Sequence, residues 1–203
     1  CELTHIERVP LDIELARRQH HAYEGALRVL GVTLLSLPEE EDLPDAVFVE
    51  DTAIVLDECA ILTRPGAVSR RREVRSIGQA LTPYRDLYRL KAPATLDGGD
   101  VLVIDRDIFI GMTARSNLQA VEQVKTILEP WGYRLHPVRV HGCLHLKSAV
   151  TQAARDTLLI NPSWVDKASF PGMRFIDVHP DEHAAGNVLL VGETATVVQR
   201  MNA

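Results

Sequence analysis

A repeat constrains this chain more than any single motif. Two β-rich runs joined by a short turn recur four times, over residues 48–55 and 59–63, 101–104 and 108–111, 144–151 and 157–160, and 187–191 and 194–198. Between the runs stand Asp57-Glu58, Asp105-Arg106-Asp107, Ala154-Arg155-Asp156 and Gly192-Glu193, residues that form the turns of hairpins. The first runs begin near 48, 101, 144 and 187, which are 53, 43 and 43 residues apart. A period of this length means one supersecondary unit used several times.

Three of the hairpins lead into a helical stretch and a further strand. Ser69 is placed to cap a helix to about Leu81, with Val74, Ile77 and Leu81 at helical spacing, before a strand over 86–90. Asn117 is placed to cap a helix over 118–128, whose Leu118, Val121, Val124 and Leu128 form an apolar stripe that Pro130 ends. The strand that follows, 133–140, contains Pro137 and is therefore an edge or carries a bulge. Ser163 starts a shorter helix near 165–170, with a strand over 174–178. At the N-terminus the unit recurs without its hairpin: Asp12 caps a helix to about Leu30, Gly31 stops it, and 32–37 is the strand. At the C-terminus the chain stops just after its fourth hairpin. The expected fold class is α/β, a ring of ββαβ modules in one domain over 1–203. One module, split between the two ends, is missing from closure. A doubly wound parallel sheet is the competing α/β arrangement. Antiparallel hairpins oppose it, and so do the glycines of Asp97-Gly98-Gly99-Asp100, which precede a strand instead of following one as a phosphate loop does.

Composition narrows the partners. With 28 acidic and 22 basic residues the net charge is −6, and no excess of positive charge is available to displace counterions from nucleic acid. No apolar run approaches the ~18 residues of a membrane span. Cys1, Cys59 and Cys143 are an odd number in a chain large enough to need no disulfides, which favours the reducing cytoplasm. The start at Cys1-Glu2 reads as a cut end, not a targeting segment.

Polar residues interrupt the apolar pattern at equivalent places in the repeat. Glu50 and Asp51 are adjacent carboxylates inside a strand pattern, so alternation sends one of them inward. A buried carboxylate needs a cation or donors, and a structural ion pair to an internal arginine answers that need as well as a ligand does. Asp97 and Asp100 bring a second pair, which a Gly-assisted turn with a capping Asp also explains. Arg70, Arg71 and Arg72 stand at a helix start, where positive charge opposes the macrodipole; either an anion holds one of them or all three are solvated. Arg115 recurs one module later beside the capping Asn117. His145 opens the third hairpin, and a lone histidine is more often a satisfied structural residue than a catalyst. The eight histidines show no HExxH and the cysteines no paired spacing, so no metal site is indicated. In a pseudo-symmetric ring these places converge on the axis. Paired carboxylates recognise planar guanidinium groups and an arginine suits a carboxylate, so the inferred ligand is arginine-like.

The segments PDAVFVEDTA, LTRPGAVSRRREV, LDGGDVLV, GMTARSN and LHLKSAVT resemble, in order and spacing, those of the dimethylarginine dimethylaminohydrolases, which are guanidine-modifying α/β propellers also called penteins. The likeness runs from about Leu3 to Val198. It implies a five-bladed α/β propeller of which this chain holds about four modules. It also implies hydrolysis of N-methylated arginine to citrulline and methylamine or dimethylamine through a cysteine thiouronium, with no cofactor and no metal. Arginine deiminase or amidinotransferase activity, and a non-catalytic arginine-binding scaffold, are the alternatives it leaves. Carried over by motif, Asp51 and Asp97 hold the guanidinium with Glu50 in support. Asp45 meets the α-amino group, Arg70 and Arg115 receive the α-carboxylate, Leu3 lies over the ligand, and His145 is the general acid and base. The implied nucleophile is a cysteine of the last module, and this sequence stops at Met201-Asn202-Ala203 before that segment. Cys59 reads as a small apolar residue and Cys143 does not match the nucleophile's position, so the 203-residue chain is expected to be inactive or nearly so. The expected partners are an arginine-like small molecule and, as an assembly, a homodimer, with neither nucleic acid nor membrane.

Overall fold

The structure, a computed structural model, describes residues 12–192 and the backbone of 195–198. Leu3 lies outside the described residues. The chain forms four separate sheets, not one. The first contains β1 (Ala53–Val55), β2 (Cys59–Leu62) and β3 (Asp86–Arg89); the second β4 (Val101–Ile104), β5 (Asp107–Met112) and β6 (Arg134–Arg139). The third contains β7 (Val150–Ala154), β8 (Thr157–Ile160) and β9 (Arg174–Asp177), and the fourth is the hairpin of β10 (Val188–Val191) and β11 (Ala195–Val198). In each three-stranded sheet the first two strands are antiparallel and the third joins the second in parallel. This repeated order rules out the doubly wound parallel sheet.

A parallel third strand needs a crossover. In the first sheet α2 (Val74–Leu81) supplies it, and in the second α3 (Leu118–Leu128) does. Asn117 caps α3 by accepting the Ala120 N–H at 3.0 Å. Helix α1 (Ile13–Val29) is capped by Asp12 and stopped by Gly31, whose φ of +81° suits a residue without Cβ. Pro137 pairs opposite Ile110 on β6, an edge strand whose outer side needs no N–H donor.

The second sheet is buried on both faces, which is why its strands read as nearly continuous apolar runs. Alternation divides them. Val101, Ile108 and Ile110 join Ile54, Ile61, Leu96, Val124 and Leu128 in a core shared with the first sheet. Leu102, Ile104 and Phe109 join Leu146, Val150, Leu158, Ile160 and Phe170 in a core shared with the third. Adjacent modules are thus held by common apolar layers.

Several local expectations change. Residues 32–37 form no strand. The helix expected after Ser69 begins only at Val74; Ser69 sits inside a 3-10 turn, Val68–Arg72. The helix expected at 165–170 shrinks to a 3-10 turn, Lys167–Ser169, capped by Asp166. One helical turn precedes the first strand of each hairpin: Val49–Thr52 before β1, Gly98–Asp100 before β4, α4 (Leu146–Ala149) before β7, and His183–Gly186 before β10. In the first and third hairpins that turn takes up the start of the apolar pattern, so β1 and β7 begin late, whereas β4 begins at Val101 as expected and β10 one residue late at Val188. Glu50, Asp51 and His145 therefore lie on these turns and not in strands, as their pattern had implied. Among the described residues, no helix is long and apolar enough to cross a membrane.

Candidate active site

The four turns meet in a chain of contacts. A Cβ on Gly98 would overlap the carbonyl oxygen of Glu50. A Cβ on Gly99 would stand 2.8 Å from Asp51 Oδ1 and 2.9 Å from the imidazole Cγ of His145. Neither glycine has a positive φ. Their role is close approach: only a residue without a side chain lets the first and third turns close on the second. The fourth turn joins through Gly186, where a Cβ would stand 3.1 Å from the Ser148 carbonyl oxygen and 3.3 Å from that of Ala149 in α4.

Asp51 faces inward and Glu50 outward, so the opposition expected of adjacent residues holds although the backbone is a 3-10 turn. Asp51 Oδ1 accepts the Gly99 N–H at 2.9 Å and Oδ2 accepts Arg70 Nη1 at 2.6 Å. Exposed Glu50 pairs with Lys147 at 2.6 Å across to α4. Asp97 has no exposed surface. Its Oδ1 accepts the Gly66 N–H at 2.8 Å, while Oδ2 has no hydrogen-bond partner and lies 3.9 Å from Arg115 Nη1. Burial pushes the Asp97 carboxyl up from its ordinary pKa, and the Gly66 donor restrains the shift. The loop Arg64-Pro65-Gly66 sits tightly here, since a Cβ on Gly66 would be 2.7 Å from the Arg115 backbone.

His145 is the N-cap residue of α4, with extended backbone. Its Nδ1 is 3.4 Å from Asp100 Oδ1 and its Nε2 is 3.9 Å from Asp51 Oδ1. The first distance gives charge attraction without a hydrogen bond of good geometry. Burial disfavours the imidazolium, yet Asp100, Asp51 and Asp97 outweigh it and raise the His145 pKa. The ligand atoms of Asp51, Asp97 and His145 lie within 4.8 Å of one another, and among the described residues they are the group that could hold a metal ion.

Arg70 is placed differently from the expectation. It is buried, and its guanidinium donates to Asp51, to Glu73 at 2.8 and 3.0 Å, and to the carbonyls of Asp45 and Phe48. Burial opposes its charge, but the bonds to Glu73 and Asp51 more than compensate and raise its pKa further. In this structure the guanidinium is engaged with the protein's own carboxylates and backbone carbonyls. The anion for this arginine is internal, and Glu73, three residues on, was the available signal. Asp45 is half-buried beside it. Arg115 is on the loop after β5, next to Asp97.

Two more residues, to which the sequence assigned no role, belong to the site. Asp100 is fully buried and faces His145, although its pair with Asp97 was visible in the motif. Ser116 joins the two, accepting the Asp97 N–H at 3.3 Å and donating to Asp100 Oδ2 at 2.5 Å. Neither thiol described is poised at the site. Cys59 is fully buried in β2. Cys143 donates to the His145 carbonyl at 3.3 Å, and burial with nearby Asp100 pushes its pKa up to about 11.

Comparison with known proteins gives the family. A family model described as N,N dimethylarginine dimethylhydrolase, eukaryotic, matches residues 7–167. The N(G),N(G)-dimethylarginine dimethylaminohydrolase of Streptomyces coelicolor is 41% identical over 192 residues, which are 94% of this chain and 73% of that protein. That of Pseudomonas aeruginosa is 35% identical over 184 residues, 90% of this chain and 72% of that protein. The solved structure of a cysteine-to-serine variant of the Pseudomonas aeruginosa enzyme, complexed with citrulline, superposes with a TM-score of 0.85 at 35% identity, covering 89% of this chain and 71% of that one. With its motifs, its turns and these relatives in accord, the chain belongs to the dimethylarginine dimethylaminohydrolase family.

Proposed function

We propose that this chain binds N-methylated arginine and forms the body of an enzyme that hydrolyses it to citrulline and methylamine or dimethylamine. The observation that carries the reading is Asp97 Oδ2, a buried carboxylate oxygen without a hydrogen-bond partner. It shares a space with Asp51 and His145 where a planar cation with several N–H donors supplies what is missing. In this reading Asp51 and Asp97 hold the guanidinium, Glu50 supports them from the rim and Asp45 meets the α-amino group. Arg115 receives the α-carboxylate, and Arg70 holds Asp51 in place.

The reaction this site serves has two halves. A cysteine thiolate attacks the guanidinium carbon; the tetrahedral adduct collapses, and the departing amine takes a proton from the His145 imidazolium. Neutral His145 then takes a proton from water as that water attacks the thiouronium carbon, and citrulline leaves as the thiolate re-forms. A histidine whose proton is held above its ordinary pKa suits the first half as an acid. The thiolate implied by the family resemblance is not Cys59 or Cys143, whose placements withhold them. The same reading takes the four sheets as about four blades of a five-bladed α/β propeller in a single domain, supported by the repeated strand order and the shared cores. It places the protein in the cytoplasm with a homodimer as the candidate assembly, and it requires no cofactor.

The test is calorimetric titration of the chain with dimethylarginine and with arginine, on the wild type and on Asp97→Asn. Binding of dimethylarginine that is lost in the variant is expected. A folded wild-type chain that binds neither compound refutes the reading.

A further inference from the structure

We propose that Asp100, a carboxylate the substrate does not touch, is the positioning residue that fixes His145 and ties the loop carrying Arg115 to it. The inference rests on the reading of this site as a guanidine-hydrolysing centre. Both oxygens of Asp100 are committed within the protein. Oδ1 accepts the Leu146 N–H at 3.0 Å and faces His145 Nδ1 at 3.4 Å. Oδ2 accepts the hydroxyls of Thr113 at 2.8 Å and Ser116 at 2.5 Å. The residue has no exposed surface. A Cβ on Gly111 would come within 3.2 Å of Oδ1, so β5 also closes over it.

Those four partners lie on the two segments that must be held in register. Leu146 and His145 begin α4. Thr113 and Ser116 bracket Arg115, whose N–H donates to the Thr113 hydroxyl at 3.0 Å. One carboxylate therefore joins the turn bearing Asp97, the loop bearing Arg115 and the turn bearing His145. Toward His145 its effect is specific: a negative oxygen beside Nδ1 favours the proton on that nitrogen, which leaves Nε2 turned toward Asp51 and the ligand space. The other groups around the imidazole are Asp51, whose charge is shared with Arg70, then Asp97 beside Arg115, and Cys143 on the approach to α4. Lys147 and Glu50 pair farther out.

Asp100→Asn keeps the size of the side chain and one acceptor oxygen but removes the charge. Titration of the His145 imidazole by nuclear magnetic resonance, in wild type and variant, separates positioning from mere packing. Loss of a charge this close is expected to weaken proton affinity about tenfold, the low end of what an adjacent opposite charge does. The neutral ring should also lose its preference for Nδ1–H. An unchanged titration and tautomer ratio in a folded variant overturns the proposal. Should the variant not fold, the wild type decides: its neutral imidazole must carry the proton on Nδ1, and a ring that is mainly Nε2–H overturns it. Ser116→Ala tests the other arm, with citrulline affinity expected to fall about tenfold while the His145 titration stays in place; unchanged affinity overturns that arm. The imidazole readouts need no ligand, so failure to bind any arginine analogue sinks the functional reading alone.

Discussion

Replacing Arg70 by methionine tests what this arginine is for. Arg70 is 6% exposed, and its partners Asp51 and Glu73 are 8% and 3% exposed. Both ion pairs are short, at 2.6 and 2.8 Å. Methionine fills much of the volume but leaves two buried carboxylates without their cation, a change that typically costs about 3–5 kcal/mol when one member of a buried pair is removed. Glu73 already sits above the ordinary carboxylate range because of burial, and Arg70 is what restrains it. Without the arginine, Glu73 should titrate higher still. A carboxylate whose folded pKa exceeds its unfolded one contributes full stability below the unfolded value and loses it as pH rises through the folded value. The deficit of Arg70→Met should therefore be largest near pH 8 and shrink toward pH 5. Urea unfolding followed by circular dichroism at the two pH values measures it. A loss below about 1 kcal/mol at pH 8, or one that does not change with pH, refutes the internal-anchor reading and returns Arg70 to the solvent-facing, ligand-binding role its motif implied.

Asp97→Asn should weaken dimethylarginine binding roughly 10- to 100-fold, the worth of a charge-assisted hydrogen bond, as calorimetry will show. Gly98→Ala should destabilise the fold by about 1–3 kcal/mol or more because its Cβ overlaps backbone, whereas Gly25→Ala, with nothing within 4 Å inside α1, should stabilise it by roughly 0.5–1 kcal/mol; chemical denaturation distinguishes the two. At pH 7.5 the Cys143 thiol, held at about 11, should react with iodoacetamide at least about 100-fold more slowly than free cysteine, as mass spectrometry can time. A protein of these 203 residues should bind dimethylarginine and release only trace citrulline, and robust release abolished by Cys143→Ser would move the nucleophile to that residue.

Local chemistry was enough to read some of this protein from its sequence. The caps at Asp12 and Asn117, the stop at Gly31 and the edge placement of Pro137 depend on neighbours a few residues away or on a missing N–H, and each stands where its pattern put it. The repeat disclosed the four hairpins because apolar runs and turn residues recur whatever surrounds them. Asp51, Asp97 and His145, which the structure brings together, were also legible as candidates, since carboxylates within apolar patterns must find a cation. Tertiary structure alone decided which cation each finds. Arg70 turns to Asp51 and Glu73 because the turn before β1 and the helix start before α2 are packed together, a contact across 19 residues that no spacing encodes. Asp100 comes to face His145, 45 positions away, because Gly99 and Gly111 let the second and third turns approach to within side-chain contact. Likewise the helical turns before the first and third hairpins displace strands whose apolar pattern already looks extended. There the deciding force is the meeting of turns from different modules, a long-range contact that overrides local periodicity.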